Sequence, residues 1–142
     1  RFREGDDVVL AVTNRLQVLS AIHWHGLQLP AQMDGVPGLS FHGIAPGETF
    51  DYRFKAIQSG TYWYHAHAGY QEQTGLYGPI IIDPRDPEPF TYEREFVVMF
   101  SDWSDLPPEH IVGLLKKQSD YFNHVKSMST ESGAWARMRM SP

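Results

Sequence analysis

Cysteine is absent from the 142-residue sequence, and its absence removes several classes of function. Without a thiol these residues cannot form a disulfide, a zinc–thiolate site or a cysteine nucleophile. They cannot build a blue-copper centre by themselves either, because that centre needs a thiolate ligand. The missing cysteines do not identify a cellular compartment.

Long apolar runs and basic clusters are also absent. No run of about 18 apolar residues is present, so we expect no transmembrane helix. The net charge of −5 argues against nucleic acid or an anionic membrane surface as the main partner. The opening RFREGDDVVL lacks the apolar core of a signal peptide. We therefore expect a chain that starts within a strand and whose first strand is missing.

The first hundred residues predict an all-β domain, either a β-sandwich or a barrel. Short apolar or alternating segments are separated by Gly, Pro, Asn and Asp, as in such folds. The alternation is clearest in ETFDYRFKA, where Phe50, Tyr52 and Phe54 share one face. The predicted strands are DDVVLAVTN, LSAIHWHGLQL, ETFDYRFKA, GTYWYHAHA, LYGPIIIDP and REFVVMFSDW.

The pattern changes after Trp103. Residues 104–123 predict a helix that Ser104 or Asp105 caps, with prolines near the first turn, where a missing N–H costs least. Residues 124–142 are polar and without period, as in a linker or tail. The predicted organisation is a β-domain over residues 1–103, a helical segment over 104–123 and a tail over 124–142. The apolar face of the helix would contain Ile111, Val112, Leu114 and Leu115.

Four of the seven histidines form two His-x-His pairs, His23 with His25 and His65 with His67. Alternate residues of a strand point to the same face and lie roughly 6.5 Å apart along it. Two such strands side by side would bring four imidazoles together. Imidazole suits copper, zinc, iron or nickel, so the ring set alone predicts a metal site without choosing the metal.

Two other metal-binding patterns fit only in part. Gly60, His65, His67, Glu72 and Gly78 approximate the first cupin motif, but both glycine spacings are one residue short and no second motif follows. A zinc hydratase site with three histidines would leave a fourth histidine unexplained.

The two pairs and the segment between them resemble the multicopper oxidases. HWHG and GTYWYHAHAGYQEQTGLYGPIIID are similar to the two N-terminal copper motifs of that family, and QMDGVPGLSFHGIAPGETFDYRF is similar to the segment that joins them. The resemblance is strongest to the bacterial copper-resistance protein A group, which FVVMFSDWSD, LLKKQSDYFN and MRMSP also resemble. It covers nearly the whole chain and is most specific in the first 85 residues.

This resemblance implies a cupredoxin-like Greek-key β-sandwich, the first of three such domains. It implies a trinuclear copper cluster between the first and last domains, held by eight histidines. By motif, His23 would bind the type 2 copper, and His25, His65 and His67 would bind the type 3 pair. The other four histidines and the type 1 ligands would come from C-terminal motifs that these residues lack.

The resemblance also implies an activity and partners. The intact enzyme would reduce dioxygen to water while oxidising cuprous copper or phenolic reductants, in the periplasm, with the remaining cupredoxin domains of the same protein as partners. We expect the 142 residues alone to be inactive, and to oligomerise if they stand alone. The alternative is a non-catalytic cupredoxin-like domain that stores or delivers copper.

Several lesser candidates accompany the histidines. The resemblance suggests that Asp34 supplies protons, although Asp-Gly is also a common turn. Glu72 could assist protons or orient a ligand histidine, or it could be an exposed loop acid. Gly26 and Gly69 would let the backbone approach the metals. The residues interpreted as structural, packing or solvent-facing are Trp24, Trp63, Tyr64, His42, His110, His124, Met128, Met138 and Met140, although thioethers also suit cuprous copper.

Overall fold

The computed structural model describes residues 1–124, which fall into two compact units, Arg1–Ser104 and a second that begins at Asp105. Within the described residues, the first unit contains the strands and a short 3-10 helix, Ala31–Met33, and the second contains the α-helices. The strands are β1 (Phe2–Arg3), β2 (Asp7–Thr13), β3 (Ile22–His25), β4 (Thr49–Lys55), β5 (Gly60–Ala66) and β6 (Tyr77–Asp83), and the helices are α1 (Pro108–Lys117) and α2 (Tyr121–His124).

The strands form two sheets, which confirms the all-β prediction for this unit. One sheet has the order β1-β6-β5-β3, and the other pairs β2 with β4. β1 is parallel to β6, whereas the other pairs are antiparallel. The expectation that a first strand is missing stays a prediction.

The core lies between the two sheets. The Trp24 ring on β3 meets the Tyr52 ring on β4 edge-on, with centroids 5.0 Å apart, and Phe54 lies 6.0 Å away. Edge-to-face aromatic pairs add about 0.5–1.5 kcal/mol to the stabilisation by burial. Tyr52 and Phe54 are buried while Arg53 and Lys55 are exposed, which confirms the alternation predicted for β4.

Tyr52 also holds the start of β3. The amide of Ile22 donates a hydrogen bond to the Tyr52 hydroxyl at 3.1 Å. Burial raises the pKa of this phenol above its ordinary value, and the bond from Ile22 opposes that rise. The hydroxyl therefore stays neutral and fixes the backbone one residue before His23.

The strand predicted over LSAIHWHGLQL is much shorter than expected. β3 contains only Ile22–His25, because Gly26 takes a positive φ of 83° and the Leu27 amide turns back to the Trp24 carbonyl. Apolar residues continue beyond the glycine, so hydrophobicity alone overestimated the length of this strand.

The strand predicted over REFVVMFSDW is wrong. Residues 94–103 contain no strand, and Phe96 and Phe100 are 67% and 85% exposed. β-propensity describes how well a side chain fits a half-buried pleated surface. In the described structure no ladder pairs with this segment, so its apolar composition is not sufficient to form a strand.

The helical segment begins later than predicted and is divided. α1 starts at Pro108 with Pro107 at the N-cap and without a side-chain cap, so Ser104 and Asp105 do not cap it. A residue that precedes proline is disfavoured in the helical region, which moves the start to the second proline. Gln118 is extended and separates α1 from α2. No described helix is both long and apolar enough to cross a membrane.

Candidate metal centre

The ladder between β3 and β5 brings the two His-x-His motifs together. His23 pairs directly with His65, and His25 pairs with Trp63. One ring nitrogen from each of His23, His25 and His65 lies within 4.8 Å of the others. His65 is buried, His23 is half-buried and His25 is exposed, so the three rings form a site that opens to one side.

His25 and His65 present nitrogens to the same point. Nδ1 of His25 lies 3.2 Å from Nε2 of His65. Without a metal, one of these nitrogens carries a proton and donates a hydrogen bond to the other. When a metal is bound, both nitrogens would offer it a lone pair, as two ligands of one centre must.

The turn after the first motif holds His23. Its Nδ1–H donates to the carbonyl oxygen of Asp34 at 2.8 Å, and a carboxylate oxygen of Asp34 lies 3.3 Å from the same nitrogen. Nε2 is thereby left as the free ligand atom. Metal-binding histidines characteristically donate the second ring N–H to an oxygen in this way.

Gly35 makes this contact possible. Its φ is +76°, and a Cβ there would lie 1.8 Å from the carbonyl oxygen of Ile22. Only glycine therefore allows the turn to press against β3 and place Asp34 on His23.

The loop after the second motif holds His65. Its Nδ1 lies 2.8 Å from a carboxylate oxygen of Glu72 and 3.0 Å from the Ala66 carbonyl. Both acceptors favour a proton on Nδ1, which leaves Nε2 facing His25. Glu72 is 49% exposed, so the structure shows both its contact with a histidine and its access to water.

His67 lies beside this group but is not part of it. Its ring centroid lies 5.6 Å from that of His23 and 6.1 Å from that of His65. Its amide donates to the Ala21 carbonyl at 2.9 Å, which continues the pairing one residue beyond β5. The structure thus brings three of the four predicted ligands into one group and leaves the fourth next to it.

Gln71 is a structural contributor that the sequence did not reveal. Its side-chain amide donates to the Leu19 carbonyl at 2.7 Å, and the Ser20 hydroxyl donates to its Oε1 at 2.7 Å. These bonds tie the loop after His67 to the segment before β3. A lone glutamine in a polar loop gave no signal of this contact.

Trp63 corrects the interpretation of the flanking aromatic residues. Trp24 and Tyr64 belong to the core as expected, but Trp63 lies on the histidine face. Its ring stacks on His65 with centroids 4.3 Å apart and on His25 at 5.1 Å. Trp63 precedes His65 by two residues, and alternate residues of a strand share a face. The sequence alone therefore indicated that Trp63 lies on the histidine face.

None of the remaining candidates in the described residues belongs to the three-histidine group. A Cβ at Gly26 would meet the Tyr62 ring at 3.1 Å, and one at Gly69 would meet nothing within 4 Å. His42 is exposed and lies 3.2 Å from Glu48, and His110 is exposed on α1. The side chain of His124 and the residues Met128, Met138 and Met140 lie outside the described residues.

Comparison with known sequences identifies the class of protein to which this fold and this histidine site belong. A family model described as multicopper oxidase matches residues 1–87. The chain therefore belongs to the multicopper oxidase family, and its first unit is a cupredoxin-like domain of that family. This membership excludes the cupin and zinc hydratase alternatives.

The chain is 54% identical to a copper resistance protein A homolog of Pseudomonas syringae pv. tomato, over 100% of this chain and 27% of that protein. It is 52% identical to copper resistance protein A of Escherichia coli, over 100% of this chain and 26% of that protein. The crystal structure of a blue copper oxidase from Nitrosomonas europaea matches with a TM-score of 0.59 and 45% identity, over 62% of this chain and 29% of that one. The chain thus spans about a quarter of the length of these curated relatives.

Proposed function

We propose that this chain supplies His23, His25, His65 and His67 to a trinuclear copper cluster of a copper-resistance multicopper oxidase. The observation that supports the proposal best is the convergence of three ring nitrogens within 4.8 Å on paired strands. The oxygen acceptors on the second nitrogens of His23 and His65 add to it, because they hold the free nitrogens toward one point.

Within this proposal the family resemblance assigns His23 to the type 2 copper and the other three histidines to the type 3 pair. The separate position of His67, about 6 Å from the ring of His65, agrees with more than one metal position. The type 1 copper would lie outside these 142 residues, because they contain no thiolate donor.

Copper bound at this site would supply the redox chemistry that passes electrons from cuprous copper or a phenol to dioxygen and yields water. The residues of this chain would hold and orient the imidazoles. Asp34 and Glu72 contact ligand rings and are also reached by solvent, which suits them to hold protons beside the site. Each would also fix the tautomer of the histidine that it contacts.

The partners proposed for this domain are the other cupredoxin domains of the same protein, which would complete the ligand set. The periplasm is the compartment that the family resemblance favours. Association between copies of the isolated chain stays a prediction.

Oxygen uptake by the copper-loaded intact protein, with a cuprous salt or a phenol as reductant, tests the proposal. The double substitution of His25→Ala with His65→Ala should abolish uptake and lower the bound copper. The matched control substitutes His42 and His110 by alanine, because both are exposed and neither belongs to the three-histidine group. This control should behave as wild type. Copper binding without oxygen uptake would contradict the oxidase and indicate copper storage or delivery.

A further inference from the structure

We propose that Trp63 is a positioning residue that sets the ring planes of His25 and His65, an inference that rests on the proposed function. The indole contacts one histidine from each motif. Its plane lies 24° from that of His65 and 28° from that of His25, so both contacts are stacked.

The ladder register produces this arrangement. Trp63 is the cross-strand partner of His25 and lies two residues before His65 on β5, so all three side chains share one face. The rotation of a histidine ring about its last side-chain bond has broad minima. A flat indole in contact with both imidazoles restricts that rotation and keeps Nδ1 of His25 opposite Nε2 of His65.

His25 depends on Trp63 more than His65 does. His65 also contacts Glu72 and the Ala66 carbonyl, and those oxygens orient its ring. Within residues 1–124, the only hydrogen bond of the His25 side chain is the one shared with His65. Stacking on Trp63 is therefore the main contact outside the histidine group that orients the His25 ring.

Trp63 also lines a cavity. The cavity has a volume of about 490 Å³, and its lining includes Trp63, Glu72, Tyr77 and Phe100. Trp63 is half-buried on the face opposite the core, so its replacement should leave the fold intact. This makes the positioning role separable from a role in stability.

The test compares three variants of the intact protein with wild type. Trp63→Leu removes the stacking, Trp63→Phe keeps a smaller aromatic plane, and Phe100→Leu removes another ring from the same cavity. The first measurement is NMR of histidine-labelled, copper-free protein. Loss of the indole ring current should shift the ring protons of His25 and His65 in Trp63→Leu, whereas Phe100→Leu should leave them in place. The second measurement is copper affinity by chelator competition, together with the near-ultraviolet and visible spectrum of bound Cu²⁺.

We expect Trp63→Leu to weaken copper binding roughly tenfold, the lower end of the effect of residues that orient metal ligands, and to change the spectrum. Trp63→Phe should recover most of both, and Phe100→Leu should match wild type. Wild-type affinity and spectrum in Trp63→Leu would overturn the positioning role and leave the proposed function standing. A wild-type protein that binds no copper would overturn the proposed function, and unchanged histidine shifts in copper-free Trp63→Leu would separately overturn the stacking.

Discussion

The two faces of the β3–β5 ladder differ in what they require from the rest of the chain. One face carries Ile22, Trp24 and Tyr64 and packs against the apolar core. The other carries His23, His25 and His65, and two of these rings depend on acceptors from loops. Apolar side chains need only other apolar groups that exclude water from them, whereas a ligand imidazole needs a hydrogen-bond partner that fixes its second nitrogen. The local alternation of residues therefore specifies the first face. The second face also requires loops that are distant in the sequence.

The largest expected contrast is between the two tryptophans of this ladder. Trp24→Ala removes a ring that is 5% exposed and should lower the free energy of unfolding by about 3–5 kcal/mol. Trp63→Ala, on the opposite face, should cost clearly less because its ring is not part of the core. Urea denaturation followed by circular dichroism measures both losses. Equal losses of unfolding free energy would show that the two faces do not differ in their contribution to stability.

Gly35 tests how the histidine face depends on the first loop. Gly35→Ala should destabilise the protein by about 2–5 kcal/mol, because it adds overpacking against Ile22 to the cost of a positive φ. Gly38→Ala is the matched control, since its φ is +79° and its Cβ would meet nothing within 4 Å. The control should cost only about 1–2 kcal/mol.

Gly35→Ala should also weaken copper binding, because it moves Asp34 away from His23. Chelator competition on both glycine variants measures this effect. If Gly35→Ala retained wild-type affinity, the contact between Asp34 and His23 would not be needed to hold the ligand.

Gln71 tests the second loop. Gln71→Leu should lower the free energy of unfolding by about 1–2 kcal/mol, because the Leu19 carbonyl and the Ser20 hydroxyl lose their partner. Gln73→Leu is the control, since no side-chain hydrogen bond of Gln73 is found within residues 1–124. Thermal unfolding of the two variants checks the difference. Equal melting temperatures would show that the side-chain hydrogen bonds of Gln71 contribute nothing to stability.

Glu48 lies in the turn before β4, away from the β3–β5 ladder, and should give the smallest effect. The Ala45 amide at 2.9 Å and the His42 ring at 3.2 Å lower the pKa of its carboxyl group below the ordinary value. A folded-state pKa below the unfolded one stabilises the fold above the unfolded pKa, and this contribution is lost as the pH falls through the folded pKa.

Glu48→Gln should therefore lower the melting temperature slightly at neutral pH and match wild type in acid, below both pKa values. Calorimetric scans across that range measure the convergence, and copper affinity should stay unchanged throughout. A constant difference at every pH would show that the carboxylate charge is not the cause.

The sequence alone was sufficient to predict some features of the fold and the site, but not others. The repeated His-x-His spacing predicted a metal site, and the alternation in ETFDYRFKA predicted the buried face of β4, because both patterns repeat with the period of a strand. Residues 94–103 were predicted wrongly because pairing depends on a partner distant in the chain. The contacts of Asp34, Gln71 and Glu72 also depend on how loops fold back, which no local period encodes.

Anomalous diffraction at the copper edge, from crystals of the copper-loaded intact protein, would show directly which histidines bind copper. We expect copper bonded to Nδ1 of His25 and to Nε2 of His23 and His65, with the indole of Trp63 still stacked on two of these rings. Copper bound only at exposed histidines such as His42 or His110, with none at the β3–β5 ladder, would contradict it.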